Sequence, residues 1–162
     1  MAKEKEREET QENGTNDTGM TVSSENLELK THQRIDQSLC GTLLELKAGY
    51  AKVELETTRV MAADDMGLVH GGFTFAAADF AAMAAVNDPN VVLVSSECRF
   101  LSPVKVGDRV LFEARELYKE SRKRKIHVIG TFEDIKVFEG EFMAVVLERH
   151  VLKLKLLKDE ED

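Results

Sequence analysis

A single carboxylate lies in the middle of an otherwise apolar, alanine-rich stretch. Val69 to Asn87 reads VHGGFTFAAADFAAMAAVN, with Asp79 near its centre. An ionised carboxylate in apolar surroundings is unstable unless it is paired, hydrogen-bonded or hydrated, and burial raises its pKa. A carboxylate that titrates near neutral pH can act as a general base. The alternative is a structural role, in which Asp79 bonds a backbone amide or faces a small wet pocket.

Two glycines stand where this stretch begins. The motif His70-Gly71-Gly72 opens a predicted helix, and the first backbone N–H groups of a helix have no intrahelical partner. The helix dipole adds positive character there, and the missing side chains let a carbonyl oxygen approach. Such amides can form an oxyanion hole. The alternative is a tight turn from loop to helix that needs glycine only for space.

The spacing of these groups bears on assembly. Gly71 and Asp79 are separated by about 12 Å along a helix, too far for both to reach one reacting carbon. Two antiparallel helices related by a twofold axis would bring Asp79 of one chain beside Gly71 of the other. If both groups serve one reaction, the sequence predicts at least a dimer with a shared active site.

One long helix and about six strands are predicted to position these groups. The helix spans 71–86, is apolar on every side, and ends at Asn87-Asp88-Pro89-Asn90. A hairpin precedes it, and four strands follow, the last with a break near Gly140 and a possible extension through Leu156. The predicted strands are 42–46, 50–57, 91–100, 108–118, 125–134 and 136–151. This order predicts an α+β fold whose antiparallel sheet wraps around the helix.

The formal charge of −8 is concentrated at the two ends of the chain. Residues 1–30 carry a net −4 and are predicted to be a disordered tail, and residues 158–162 form an acidic tail of −3. The domain between them, 31–157, is nearly neutral, so it lacks the positive charge that nucleic-acid binding requires. No signal peptide and no membrane-spanning run is visible, which predicts a cytoplasmic protein that binds no membrane. Cys40 and Cys98 are expected to be reduced thiols.

Several motifs together resemble those of a known family. His70-Gly71-Gly72 with Asp79, followed by Phe100-Leu101-Ser102-Pro103 and Val106-Gly107-Asp108, is similar to the signature of PaaI-like hotdog-fold thioesterases over residues 35–150. The resemblance implies a hotdog fold, a curved antiparallel sheet around one central helix. It also implies hydrolysis of an acyl- or aryl-CoA thioester to the free acid and CoA by a homodimer or a dimer-of-dimers tetramer. CoA belongs to the substrate, so neither a cofactor nor a metal is expected.

The resemblance also implies roles for individual residues. Gly71 would donate its amide to the thioester carbonyl, Asp79 of the partner would act as base or nucleophile, and His70 would help to hold the loop. Family members often carry Asn where this chain has Asp64, which cannot donate a hydrogen bond when ionised. Ser95 or Ser96 on the strand after the helix sometimes assists.

Further residues are candidates for substrate binding. Gly72 and Phe73 lie beside the proposed carbonyl site, and Phe73 is either part of an acyl pocket or plain core. The basic residues Arg122, Lys123 and Arg124 fall in a turn, where they either meet the CoA phosphates or form a solvated hairpin tip.

Two rival functions remain open at this level. One is acyl-CoA binding without turnover, as in hotdog-fold sensors, which have no need of Asp79. The other is enoyl-CoA hydration by Asp65 and His70, whose spacing matches that of hotdog hydratases, although the Asn-Pro expected between them is absent.

Overall fold

A computed structural model describes residues 26–154, which form two helices and a six-stranded sheet. The helices are α1 (Gln37–Cys40) and α2 (Gly71–Val86), and short 3-10 turns span Arg59–Met61 and Val151–Lys153. The strands are β1 (Thr42–Lys47), β2 (Tyr50–Glu56), β3 (Val91–Phe100), β4 (Arg109–Glu120), β5 (Lys123–Phe132) and β6 (Ile135–Val146). The predicted tails lie largely outside the described residues.

The sheet is antiparallel throughout and wraps around α2. Its strand order is β1-β2-β4-β5-β6-β3, and α2 packs mainly against β2, β4 and β5. The fully buried side chains include Phe80 of the helix and Phe112, Phe138 and Phe142 of the sheet. The small alanine side chains of α2 allow this close approach. The structure therefore confirms the predicted α+β hotdog fold.

The last strand differs from its prediction in two respects. β6 has no break at Gly140, where a Cβ would lie 2.9 Å from Cys98 Sγ and 3.2 Å from the rings of Phe138 and Phe142. Glycine is therefore needed here for space between packed side chains and not for a turn. The strand also ends at Val146, and the chain then forms the 3-10 turn at Val151–Lys153 instead of a strand through 151.

The ordered domain begins earlier than residue 31. The Leu27 amide donates to the Leu46 carbonyl (3.0 Å), and Asn26 Oδ1 accepts from the Leu46 amide (3.1 Å), so residues 26 and 27 lie along the free edge of β1. The chain then crosses α2, where the His32 ring stacks on Phe80 at 6.2 Å. The predicted boundary missed this segment because its few apolar residues do not alternate.

Within residues 26–154, no helix combines the length and the apolar character that are needed to cross a membrane.

Candidate active site

Asp79 lies half-buried in the middle of α2 with an unsatisfied carboxylate oxygen. Among the described residues, Asp79 Oδ1 is buried and has no hydrogen-bond partner. Burial raises the pKa of Asp79 to about 6. One helical turn before it, Phe75 packs against Phe142 of β6 at a centroid distance of 5.7 Å. This places Asp79 on the helix face that looks toward the β6–β3 side of the sheet.

The inner face of β3 lies across from this carboxylate. Cys98 pairs with Gly140 and its Sγ lies over that glycine, while Ser96 pairs with the core residue Phe142. Burial raises the pKa of the Cys98 thiol, and the negative charge of Asp79 adds to that effect. Cys98 therefore borders the Asp79 environment, a position that the sequence analysis did not assign.

Ser95 and Ser96 occupy opposite faces of β3. Ser95 pairs with Met143, the neighbour of Phe142, so it faces away from the helix. A register shift between Leu93 and Ser95 precedes the pair and determines which serine faces inward. The sequence gives no sign of this bulge, so it could not separate the two serines. Only Ser96 shares the inner face with Cys98.

The first residues of α2, Gly71 and Gly72, are only partly covered by the rest of the chain. His70 is the N-cap in an extended conformation (φ −62°, ψ 130°), and its side chain does not cap the helix. Its amide donates to the Met61 carbonyl at 2.8 Å, which fixes the start of the helix against the preceding loop. A Cβ at Gly72 would lie 2.9 Å from His70 Nε2, so the imidazole covers that glycine and would have to move to admit a side chain. His70 thus supports the helix start.

A cavity of about 230 Å³ adjoins Gly71. It lies between the helix start, the loop that leads into the helix, and the loop that follows β3. Most of the lining is apolar, and the lining residues are Leu68, Val69, Gly71, Thr74, Phe100, Ser102, Pro103, Val104 and Val137. Phe73 does not line it. Its ring stands edge-on to His70 at 6.1 Å and packs against the core.

Asp64 organises the loop that leads to the helix. Its Oδ1 accepts hydrogen bonds from the amides of Met66 (3.0 Å) and Leu68 (3.1 Å). Both bonds need only an acceptor, so Asp64 fulfils here a role that the oxygen of an asparagine could also fill. Asp64 and its neighbour Asp65 line a broad surface groove of about 590 Å³.

The Asp65–His70 pair required for hydration is not assembled. Both residues are exposed, and no hydrogen bond or ion pair joins them in the described part of the chain.

The basic cluster lies at the far end of α2 from Gly71. Arg122 and its neighbours form the β4–β5 turn, where Arg122 bonds Glu148 at 2.8 Å and Arg124 donates to the carbonyls of Ser121 and Lys123. The Val146 amide donates to the Arg122 carbonyl, and Val146 pairs with Val91 at the start of β3. A 16-residue helix is about 24 Å long, so one protomer does not bring this cluster to its own Gly71.

One side of the molecule presents an unpaired strand and an incompletely covered helix. Over residues 26–154, β3 pairs with β6 alone, and Val94 and Phe100 are 61% and 55% exposed. From the second turn of α2 onward, the less buried residues fall on one stripe, namely Phe75, Ala76, Asp79 and Val86. In the first turn, Gly71, Gly72 and Phe73 are also partly exposed. Exposed strand edges are usually covered in native proteins. Asp79 therefore opens onto a surface suited to a partner.

Across the residues that the structure describes, no group of three or more His, Cys, Asp and Glu side chains is placed to hold a metal ion.

Comparison with known proteins places these features in a family. The model of the thioesterase superfamily matches residues 66–137. The crystal structure of the uncharacterized protein PH1136 from Pyrococcus horikoshii is 47% identical, with a TM-score of 0.77, over 78% of this chain and 98% of that one. An Asn-to-Asp mutant of the phenylacetic acid degradation protein PaaI from Thermus thermophilus is 28% identical, with a TM-score of 0.64, over 68% of this chain and 96% of that one.

Two curated relatives carry other names. Methylthioribose-1-phosphate isomerase of Aquifex aeolicus is 49% identical over 75% of this chain, but the match covers only 26% of that protein. Transcription factor FapR of Caldanaerobacter subterraneus is 26% identical over 82% of this chain and 66% of its own length. The chain thus spans about a quarter of the first relative and just under two thirds of the second.

Proposed function

Because the chain belongs to the hotdog-fold thioesterase superfamily, we propose that it hydrolyses an acyl- or aryl-CoA thioester to the free acid and CoA. The observation that carries this proposal is Asp79 Oδ1, which has no hydrogen-bond partner within residues 26–154, together with a pKa raised to about 6 by burial. A carboxylate of that pKa is mostly ionised at pH 7 and yet basic enough to accept a proton. A protein that only binds the ester has no need of such a group.

The proposed reaction adds water to the thioester carbonyl. The Asp79 carboxylate accepts a proton from a water molecule as the water oxygen bonds to the carbonyl carbon, and the Gly71 amide donates to the resulting oxyanion. The tetrahedral intermediate then reforms the carbonyl and breaks the carbon–sulfur bond. The proton passes from Asp79 to the departing CoA thiolate, so the enzyme returns to its starting state. Direct attack by Asp79 is the alternative first step.

We also propose that each site is shared between two protomers. Asp79 and Gly71 are about 12 Å apart along one helix, whereas antiparallel pairing of two α2 helices would set Asp79 of one beside Gly71 of the other. The free edge of β3 and the exposed stripe of α2 support this pairing, since both lie on the side onto which Asp79 opens.

Two substitutions test the proposal at the level of single atoms. Asp79→Asn removes the base, and Gly71→Pro removes the amide donor. Proline is tolerated at the first helical position, and the extended conformation of His70 suits a residue that precedes proline. Gly71→Ala is the matched control, because its Cβ would be in ordinary contact with Phe100 at 3.5 Å and the amide is kept.

The assay is release of free thiol from a panel of acyl- and aryl-CoA esters. We expect kcat to fall by about 10² or more in Asp79→Asn and in Gly71→Pro, and by far less in Gly71→Ala. The wild-type kcat/KM should rise with pH through about 6, since ionised Asp79 is the active form. Full activity of Asp79→Asn would refute the proposal.

A second candidate function is acyl-CoA binding without turnover, and one relative of 26% identity is named as a transcription factor and not as an enzyme. The two candidates differ in one measurement. Tight binding of CoA esters by the wild type, with no thiol released from any of them, would establish the sensor and exclude the enzyme.

A further inference from the structure

The aromatic ring of Phe100 lines the cavity beside Gly71. A Cβ placed on Gly71 would lie 3.5 Å from Phe100 Cε1 and 3.7 Å from Cδ1, so the ring is in the immediate neighbourhood of the Gly71 amide. Phe100 is the last residue of β3, on its inner face opposite Phe138. The two rings meet edge-on at 5.4 Å.

The side chain of Phe100 is 55% exposed. One face of the Phe100 ring is held by Phe138, while the remainder borders the cavity of about 230 Å³. Among the other lining residues, Val69 and Val104 are buried and joined by a 2.8 Å backbone hydrogen bond, whereas Leu68 is 43% exposed. Phe100 is the largest side chain of the lining, and its contact with Phe138 leaves it partly exposed.

The cavity is suited to the acyl part of a thioester bound at Gly71. A carbonyl oxygen that accepts from the Gly71 amide places its own carbon beside the cavity, and the lining is mostly apolar. We propose that Phe100 sets the upper size limit of the acyl group by closing this cavity at the end of β3. This inference rests on the proposed function, because it takes the Gly71 amide as the carbonyl site.

The cavity volume indicates which acyl groups fit. An apolar cavity of about 150 Å³ is enough to hold benzene. The cavity beside Gly71, at about 230 Å³, therefore has room for one aromatic ring or a short acyl chain, and a longer chain would meet the Phe100 ring. Replacing this ring with a methyl group would extend the cavity outward, whereas a larger ring would shorten it.

The test measures binding, so that it does not depend on turnover. The probes are CoA thioethers of the type CoA–S–CH₂–CO–R, which keep a carbonyl and resist hydrolysis, with R ranging from methyl through benzyl to nonyl. Titration calorimetry gives their Kd values for the wild type, Phe100→Ala and Phe100→Trp. Leu117→Ala is the control, since Leu117 is equally exposed, at 53%, but lies on β4 near the far hairpin.

We expect Phe100→Ala to improve binding of the nonyl probe relative to the methyl probe by about tenfold or more, the effect of burying roughly two further methylenes. Phe100→Trp should weaken binding of the benzyl probe relative to that of the methyl probe. Leu117→Ala should leave the ratios between the Kd values of the probes unchanged. Unchanged ratios in both Phe100 variants would overturn the role of Phe100, provided that light scattering shows the wild-type mass.

Failure of the inference is distinct from failure of the proposed function. If the probes bind and the ratios shift but no ester is hydrolysed, Phe100 still selects acyl size in a sensor. If esters are hydrolysed and the ratios do not shift, the enzyme stands and Phe100 has no part in selection. If no probe binds to the wild type, both are refuted.

Discussion

Asp79 keeps a carboxylate at a position where packing favours a neutral side chain. Its neighbours Ala78 and Phe80 are fully buried, and its own Oδ1 has no hydrogen-bond partner among the described residues. The desolvation that raises its pKa to about 6 also makes its ionised form unfavourable in the folded chain. The group that is proposed to carry the chemistry is therefore also a source of instability.

This instability has a defined pH window. Because the folded-state pKa of Asp79 is about 6 and the ordinary value is 3.8, the folded chain retains a proton that the unfolded chain has lost between these values. Stability should fall as the pH rises from about 4 to 6 and stay constant above that range, as far as this group is concerned. Asp79→Asn should therefore stabilise the folded chain more at pH 7.5 than at pH 4. The change that it causes in the free energy of unfolding should be about 1–3 kcal/mol larger at pH 7.5.

Urea denaturation at both pH values, at one protein concentration, measures this difference. Asp65→Asn is the control, because the exposed Asp65 changes charge without changing burial. Equal effects of Asp79→Asn at pH 4 and pH 7.5 would contradict the assigned burial of the carboxylate.

At the scale of elements, the end of α2 ties the helix to the segment before β1. Asn87 adopts a left-handed conformation (φ 50°) as the C-cap, and its side chain accepts from the Lys30 amide at 2.7 Å and donates to the Glu28 carbonyl at 2.9 Å. One residue thus ends the helix and holds residues 28–30 across it. This explains why the ordered domain includes residues that look like a tail.

The two roles of Asn87 can be separated by substitution. Asn87→Gly keeps the left-handed conformation and loses both hydrogen bonds, whereas Asn87→Ala loses the bonds and strains the backbone. We expect losses in the free energy of unfolding of about 1–2 kcal/mol for glycine and more for alanine. Hydrogen exchange of the Lys30 amide should accelerate in both variants. Unchanged protection of that amide would show that Asn87 does not hold the segment.

The bounds of α2 could be predicted because both of its ends carry local signals. The glycine pair at its start and the Asn87–Asn90 stretch at its end act within a few residues, and the predicted range matches Gly71–Val86. The break predicted at Gly140 was wrong because a glycine needed for space resembles a glycine needed for a turn. The inward orientation of Ser96 depends on the bulge in β3, and the position of Arg122 relative to α2 depends on the strand order. No local sequence pattern encodes either feature.

At the scale of the whole molecule, each active site of the proposed dimer takes Asp79 from one protomer and Gly71 from the other. In a single protomer, Asp79 and Gly71 cannot both reach one carbonyl carbon, whereas a twofold dimer has two sites in which both groups do. Assembly is then a condition of activity. The exposed Val94 and the free edge of β3 lie on the proposed contact side.

Mixing two inactive variants tests the shared site directly. In a heterodimer of Asp79→Asn with Gly71→Pro, one site carries both defects and the other carries neither. Co-expression with two affinity tags and random pairing should restore about a quarter of wild-type activity, with all of it in the doubly tagged species. Each variant expressed alone is the control. No recovery in isolated heterodimers would mean that each site is built from one chain.

The edge of β3 that has no strand partner within residues 26–154 also bears on how the protein folds and assembles during synthesis. As far as residues 26–154 show, a newly folded protomer presents ten residues of open strand, and such an edge accepts any complementary backbone that reaches it first. The nearest complementary backbone during synthesis is a sibling chain translated from the same messenger. Slow or scarce translation would lengthen the exposed interval, so yield in a recombinant host should depend on expression rate. A Val94→Lys change should remove that dependence and, because Val94 lies on the proposed contact side, should also weaken the pairing of protomers.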